Sequence, residues 1–208
     1  MSFDSIFYLS CFLPLTLGLY WLSPGTKLKN AVLLLLGLVF YAFGSFSGMI
    51  LLLASALVTF ILGLFIRAQK FQKTAMIVGV AGNLAFLLVY KYLGMVLSQF
   101  FNLPQAAEAL IAPIGISFFT FKNISYLVDG CRDHNHTTNK FFDYLLYVSF
   151  FPQIMAGPIT RFSDFSKELF VRKQDIDQIT AGIQRFIVGL FKKVILCGTI
   201  GIAVDRIF

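Results

Sequence analysis

One long run of this sequence, residues 30–66, contains no charged side chain. A helix of that length would measure about 55 Å, almost twice the roughly 30 Å of hydrocarbon in a bilayer. The run therefore predicts two membrane helices, at about residues 30–44 and 48–66, separated by a small polar turn at residues 44–48. The first helix is short for a membrane span, so it would lie with little tilt or against a thinned bilayer.

Two further uncharged runs, residues 5–26 and 74–90, are long enough, or nearly so, to cross the hydrocarbon. The chain is 58% hydrophobic and 13% charged, which is about half the charged fraction of a soluble domain. This composition excludes an ordinary soluble protein and predicts an all-α, polytopic bundle of membrane helices. Gly79 and Gly82 in the later run are expected to permit a close approach between helices.

The net charge of +7 comes from basic residues that lie in short clusters between apolar runs. Such clusters are typical of cytoplasmic loops and give little support to a nucleic-acid-binding surface. The basic loops at residues 23–30 and 67–73 fall on one side of the membrane, and the uncharged turn at 44–48 falls on the other. The positive-inside rule then predicts that both basic loops are cytoplasmic and that the N-terminus lies outside.

The whole chain, residues 1–208, is interpreted as a single membrane-embedded domain with two unlike halves. Residues 1–107 carry few charges and form a hydrophobic helical scaffold, whereas residues 108–208 hold most of the charged and polar side chains.

The second half begins with an apolar segment, residues 109–128, that carries several polar side chains. Pro113 suits the first turn of a helix there. Ser117, Thr120 and Asn123 make the segment too polar to face lipid, and hydrogen bonds between helices are their more common use. Lys122 lies among them, and such a cation either faces the interior of the bundle or extends to an interface.

Residues 129–140 are predicted to form a polar loop that contains His134 and His136 beside Asp133. Two histidines at this spacing can ligate a metal, but in a hydrophilic turn they are more often solvated. No metal site is therefore assigned, and the histidines are poor candidates for a catalytic base within the membrane. The three cysteines are an odd number far apart in sequence, so no disulfide framework is predicted.

The segment Phe150–Phe162 is apolar but holds two prolines six residues apart, Pro152 and Pro158, with Gly157 between them. Each proline lacks an N–H and clashes with the preceding turn, so one straight helix is excluded. Non-helical backbone at membrane depth is tolerated only where protein or a water-filled cavity satisfies its polar groups. Two interpretations follow, a bent or re-entrant element that lines a cavity and a kinked spanning helix. Arg161 is expected at the cytoplasmic polar boundary.

The last part of the sequence predicts an interfacial segment followed by an amphipathic helix. Residues 163–173 have mixed charge, and apolar residues recur at helical spacing from about residue 176. Asp175 or Asp177 is expected to cap this helix. Basic residues near its end predict that it lies at the inner interface or enters the membrane from there.

Three blocks of sequence carry a resemblance to a known family. They are PIGISFFTFKNISYLVDGCR (113–132), FFPQIMAGPITRF (150–162) and GIQRFIVGLFKKVILC (182–197). In these blocks, and in its opening FDSIFYLSCFLPLTLGLYW, the sequence resembles the membrane-bound O-acyltransferase family. The details of the second block favour the alginate O-acetylation branch, with the D-alanyl-transfer branch as the alternative.

The resemblance implies that the complete protein transfers acetyl groups across the membrane for O-acetylation of an exported polysaccharide such as alginate. The donor would be acetyl-CoA or another cytoplasmic acyl thioester, with no resident cofactor. A periplasmic or extracellular acetyltransferase partner would receive the acetyl group, and the protein would lie in the bacterial inner membrane.

The resemblance also implies which residues matter. The family's catalytic histidine lies in a Trp-His-Gly setting, and neither histidine of this sequence matches it, so no catalytic residue is assigned. The chain is therefore expected to be an N-terminal portion that is inactive alone. The motif residues expected to shape a substrate tunnel are Pro113, Gly115, Ser117, Thr120, Lys122, Pro152, Gln153, Gly157, Pro158 and Arg161.

Two functions of other classes remain open at this point. A transporter component would also use proline-broken helices and an intramembrane lysine, but no inverted repeat is visible in the sequence. A non-enzymatic membrane scaffold is the other alternative.

Overall fold

A computed structural model describes residues 5–69, 71–94, 96, 112–154, 157–170, 172, 175–197, 199–201 and 204 of the chain. These residues form helices and short helical turns, with no strand among them. The main helices are α1 (Tyr8–Leu22), α2 (Gly25–Gly44), α3 (Phe46–Arg67), α4 (Gln72–Leu93), α5 (Ile116–Arg132), α6 (Phe141–Ser149), α7 (Phe162–Phe170) and α8 (Ile176–Phe191, continued to Cys197 by a π-helical segment). The prediction of an all-α membrane bundle is confirmed.

Helix α2 corrects the predicted bounds of the first half. It begins at Gly25, directly after Pro24, and therefore has 20 residues rather than the short span predicted from residue 30. The preceding helix ends at Leu22, before Pro24. The loop between the two helices therefore has two residues, Ser23 and Pro24, instead of the predicted residues 23–30. Lys27 and Lys29 consequently lie in the first turns of α2 and not in a loop.

Three helices of the described residues are long and apolar enough to cross a membrane: α2, α3 and α4. Helix α1 is apolar but shorter, and it starts as a π-helical segment before Pro14. The chain is a multi-pass membrane protein, and many of its exposed side chains are large and hydrophobic, as expected for lipid-facing surfaces.

Helix α5 is the central helix of the bundle. It packs against α3, α4 and α6, and its residues Phe119, Thr120, Asn123, Tyr126 and Leu127 have no exposed surface. Gly79 of α4 permits this packing because a Cβ there would meet the side chain of Leu127. The expectation for Gly82 is not met within the described residues, where no other group lies within 4 Å of its Cβ position.

The bounds of α5 differ from the prediction at both ends. Gly115 takes a left-handed conformation (φ +78°) and caps the helix, so Pro113 lies in the turn before it and not in its first helical turn. The helix also continues to Arg132, so Asp129 is a buried helical residue rather than the start of the polar loop. The loop itself begins at Asp133, which is extended.

The two ends of the bundle differ in charge. The connections after α1 and α3 lie at one end, together with Lys27, Lys29, Arg67 and Lys73, and we call this end the basic end. Helix α5 also finishes there, because Arg67 donates a hydrogen bond to the carbonyl of Thr137 (2.6 Å). The turn between α2 and α3 marks the opposite end, where Tyr41 Oη donates to the carbonyl of Ile114 (2.5 Å).

Candidate functional site

The predicted irregular segment forms a hairpin inside the bundle. We call α6, the turn at Phe151–Gln153 and the chain at residues 157–161 the re-entrant hairpin. Helix α6 ends at Ser149 because the backbone becomes extended at Phe150 (ψ 104°), and Pro152 follows in a 3₁₀ turn. Gly157 has φ +123°, a backbone conformation that residues other than glycine rarely adopt.

Both arms of the hairpin meet the rest of the protein near the basic end. Before α6, the backbone N–H of Thr138 donates to Tyr126 Oη (3.2 Å). After the return arm, the ring of Phe162 packs on the same Tyr126 at 5.3 Å between centroids. The tip reaches the other end of α5, where Ile154 packs against Gly115. At a helical rise of 1.5 Å per residue, Gly115 lies about 16 Å along the axis of α5 from Tyr126. The described residues therefore fit the re-entrant interpretation and not the kinked spanning helix.

A cavity of about 960 Å³ lies beside this hairpin, bounded also by α1, α7 and α8. Its lining along α1 extends from Tyr8 to Tyr20, a length of about 18 Å. The inner walls are mainly apolar, with Leu13, Leu17, Leu33, Phe150, Phe151 and Leu169 among them. The end near Tyr20 is polar and includes Asp164, Glu168 and Arg172, and Lys193 also lines the cavity. Such a cavity suits a ligand with an apolar part and a charged or polar head.

Arg172 holds the polar mouth of the cavity together. Its guanidinium donates to Asn30 Oδ1 (2.5 Å) and Tyr20 Oη (3.2 Å), and its Nε donates to the carbonyl of Glu168 (2.7 Å). Asn30 in turn donates to the carbonyl of Leu169 (3.1 Å). These bonds attach the C-terminal end of α7 to α1 and α2.

An ion pair on α7 adds charge to this mouth. The ammonium of Lys167 donates to Asp164 (2.9 Å) and holds the pKa of that exposed carboxyl below its usual value. Asp164 therefore remains ionised at neutral pH.

Of the ten predicted site residues, the described structure places two on this cavity: Pro152 and Gln153. Sequence reasoning missed Thr160, which also lines it, although Thr160 lies within the quoted motif. Pro113, Gly115, Ser117, Thr120, Lys122, Gly157, Pro158 and Arg161 do not line it. Arg161 is instead 63% exposed and lies 3.8 Å from the carboxylate of Asp129.

The two predicted motif blocks nevertheless meet in space, at the tip of the hairpin. A Cβ on Gly115 would collide with the carbonyl oxygen of Ile154, so at the tip the first block lies directly against the backbone of the second. Pro113 packs closely on Gly48 of α3, and Ser117 lies 3.5 Å from Lys91 Nζ. Gly115 therefore contacts the hairpin from outside the cavity, whereas Pro113 and Ser117 contact α3 and α4.

Lys122 faces the interior of the bundle, which decides between the two positions left open by the sequence. It is 1% exposed, and its Nζ donates to the carbonyl of Tyr147 (2.9 Å) and lies 5.1 Å from the centre of the Tyr147 ring. A helix leaves its last four carbonyls without intrahelical partners, and Tyr147 is one of these in α6. A cation at a helix C-terminus is also favoured by the helix dipole.

Asn123 makes the hydrogen bonds between helices that its position in an apolar segment predicts, but its partners in this core network were not predicted from sequence. Asn123 donates to Ser55 Oγ (2.7 Å) and Asn83 Oδ1 (3.1 Å), and it accepts from Tyr144 Oη (2.6 Å). Asn83 also donates to Thr59 Oγ1 (3.2 Å), so the network joins α3, α4, α5 and α6. Isolated polar residues within apolar runs are the only sequence signal for it. Thr120, one turn away, has a buried hydroxyl with no partner among the described residues.

The two histidines lie away from the cavity, in a 3₁₀ turn after α5. His134 Nδ1 is 3.3 Å from Gln69 Nε2, and His136 Nε2 is 3.8 Å from Asp133 Oδ2. Hydrogen bonds from the backbone and side chain of Asn135, together with the nearby histidines, hold the pKa of the exposed Asp133 below its usual value. Among the described residues, no three histidine, cysteine or acidic side chains form a group that would hold a metal.

Comparison with known proteins gives a consistent relationship. Residues 35–207 match the model of the membrane-bound O-acyltransferase family. The chain is 33% identical to the probable alginate O-acetylase AlgI of Pseudomonas aeruginosa, in an alignment that covers all of this chain and 42% of that protein. No solved structure matches the chain significantly.

Two other relatives bear different names. The peptidoglycan O-acetyltransferase of Helicobacter pylori is 28% identical over 94% of this chain and 44% of its own length. The teichoic acid D-alanyltransferase of Bacillus subtilis is 30% identical over 48% of this chain and 25% of its own length. The chain thus spans less than half the length of these curated relatives.

Proposed function

Because this chain belongs to the membrane-bound O-acyltransferase family, we propose that the complete protein transfers acetyl groups across the membrane for O-acetylation of an exported polysaccharide. The single observation that supports this role most is the cavity of about 960 Å³, which runs from a polar mouth into an apolar interior beside the re-entrant hairpin. In this proposal the described helices form the scaffold and one wall of the path that the acyl group follows.

The proposed donor is acetyl-CoA or another acyl thioester that enters from the cytoplasm. The cavity lining includes the cations Arg172 and Lys193, which could bind phosphate groups of such a carrier beside the carboxylates of Asp164 and Glu168. The apolar walls beyond it suit a neutral acyl chain and exclude water, which protects a thioester from hydrolysis. Arg161, on the same basic end, adds to the positive field there.

The proposed acceptor is an exported polysaccharide such as alginate, because a relative aligned over this whole chain is named as an alginate O-acetylase. Transfer would then require a periplasmic or extracellular acetyltransferase partner that receives the acetyl group and modifies the polymer. D-alanyl transfer is the second candidate, since the named teichoic acid D-alanyltransferase matches about half of this chain.

The decisive experiment compares the acetyl-ester content of the exopolysaccharide in the host with and without the complete gene. We expect loss of acetyl esters on deletion and recovery on complementation. Unchanged acetyl esters on every exported polymer, or loss of D-alanyl esters instead, would contradict the acetyl-transfer proposal.

We predict an inner-membrane location with the basic end in the cytoplasm and the N-terminus outside. The concentration of Lys27, Lys29, Arg67 and Lys73 at that end supports this orientation. Reporter fusions at residue 46 and at residue 70 should therefore give opposite sidedness, with residue 70 cytoplasmic. Matching sidedness at the two positions would contradict the predicted orientation.

A change in the cavity wall is expected to lower transfer more than a change at the hairpin's exposed end. In the complete protein, Gln153→Ala should reduce acetyl esters about tenfold, since it removes the side chain at the wall. Arg161→Ala should reduce them by only about two- to fivefold, because the Arg161 side chain is largely exposed and its contact with Asp129 is long, at 3.8 Å. Acetyl esters would be measured per amount of membrane-inserted protein, with Gln178→Ala on the exposed surface of α8 as control. Equal, normal acetylation in all three variants would reduce Gln153 and Arg161 to structural residues.

A further inference from the structure

The side-chain amide of Gln153 is oriented by one hydrogen bond at the cavity wall. Thr160 Oγ1 lies 2.9 Å from Gln153 Oε1, and only the hydroxyl can donate in that pair. The oxygen side of the amide therefore faces Thr160, and the NH₂ group points away from it. Both residues are half-buried and line the cavity, and no acceptor for Gln153 Nε2 is recorded among the described residues.

Thr160 is itself held in place from behind. Tyr147 Oη donates to the carbonyl of Thr160 (2.8 Å), which fixes the return arm of the hairpin against the end of α6. The ring of Tyr147 is fully buried between Phe162 and Phe165, so the hydroxyl has little freedom to move. Because the ring is rigid and buried, its hydroxyl holds the backbone of Thr160 in a fixed position.

The far end of this chain of contacts is Lys122. Its ammonium binds the carbonyl of Tyr147 and lies over the Tyr147 ring, so it fixes both the backbone and the ring of that residue. Within the described residues no carboxylate lies within ion-pair distance of Lys122. The buried ammonium of Lys122 is therefore stabilised by the carbonyl at the end of α6, and that carbonyl in turn obtains its hydrogen bond from Lys122.

We propose that Gln153 is a neutral hydrogen-bond donor on the cavity wall and that it binds the carbonyl oxygen of the acyl thioester through its amide NH₂ group. Thr160, Tyr147 and Lys122 are positioning residues that act through it. A neutral donor on a mainly apolar wall suits a neutral carbonyl oxygen better than an anion, whose transfer from water is costly. This inference rests on the proposed acyl-transfer function and deepens it.

The test separates the donor of Gln153 from its contact with Thr160. Gln153→Glu keeps an oxygen that accepts from Thr160 but has no NH₂ group, and Gln153→Met removes both groups without adding charge. Thr160→Val removes the hydroxyl at nearly constant volume, Thr160→Ser retains it, and Tyr147→Phe removes only the hydroxyl that holds Thr160. Each variant is made in the complete gene, and acetyl esters are measured per amount of membrane-inserted protein.

We expect Gln153→Glu and Gln153→Met to lose acetylation by about tenfold or more, the cost of one well-placed hydrogen bond. Thr160→Val and Tyr147→Phe should lose about two- to fivefold, and Thr160→Ser should recover most of what Thr160→Val loses. Gln178→Ala is the control for unaltered activity. Near-normal acetylation in Gln153→Glu would overturn the proposal, as would equal losses in Thr160→Ser and Thr160→Val. Absence of acetyl esters with the unaltered gene would instead contradict the proposed function itself.

Discussion

Replacing Gly115 by alanine is expected to prevent stable accumulation of this protein in the membrane. Two independent costs arise at this position. A left-handed conformation costs a residue with a Cβ about 1–2 kcal/mol, and Gly115 has φ +78°. A Cβ would also collide with the carbonyl oxygen of Ile154, which is backbone and has no rotamer to change.

The combined effect should reach about 3 kcal/mol or more, because relief of the collision requires the hairpin tip to move. The measurement is the thermal transition of the detergent-purified protein, together with its level in membranes. Gly82→Ala is the matched control, since its Cβ would meet no other group of the described part of the chain within 4 Å, and alanine favours a helix. A Gly115→Ala protein as stable as the Gly82→Ala protein would show that the hairpin tip is not held in this position.

Replacing Asn123 by leucine is expected to destabilise the bundle by about 2–4 kcal/mol. The change removes three hydrogen bonds at once, to Ser55, Asn83 and Tyr144. Leucine has the same number of side-chain heavy atoms and is larger, so it leaves no cavity, and the loss would come mainly from polar groups left without partners. Asn135→Ala, in the exposed loop after α5, is the control.

A double-mutant cycle tests whether these residues act as a network. Asn83→Leu removes the partner that Asn123 shares with Thr59, so the two changes should be less than additive. Strict additivity of the two stability changes would contradict the assigned contacts. An Asn123→Leu protein as stable as the unaltered protein would contradict them as well.

Part of the candidate site could be predicted from sequence because it depends on local chemistry. Two prolines and a glycine in Phe150–Phe162 exclude a straight helix wherever the segment lies. Between Ser149 and Phe162 the described residues indeed form no α-helix, only the 3₁₀ turn at Phe151–Gln153. The cap of the last helix is similarly local, and Asp175 accepts from the N–H of Asp177 as expected. The predicted start of α2 was less accurate, because the helix begins at Gly25 and includes Lys27 and Lys29.

Other parts could not be predicted, because they depend on residues far apart in sequence. Lys122 and Tyr147 come from different helices, and only their packing decides that the lysine faces inward. Asn123 finds its partners on three other helices, and no local pattern pairs Asn83 with it. Thr160 was overlooked because its hydroxyl matters only when the return arm lies beside Gln153.

The sequence by itself determined that this chain is a helical membrane protein of the O-acyltransferase family with a broken segment in its second half. Hydrophobicity, charge clustering and proline act over a few residues, so they can be read directly along the chain. Only the tertiary structure decided that the broken segment turns back towards the basic end and forms a cavity wall with α1, α7 and α8. The physical reason is that a freed backbone group in the membrane must find a partner, and that partner is supplied by another helix.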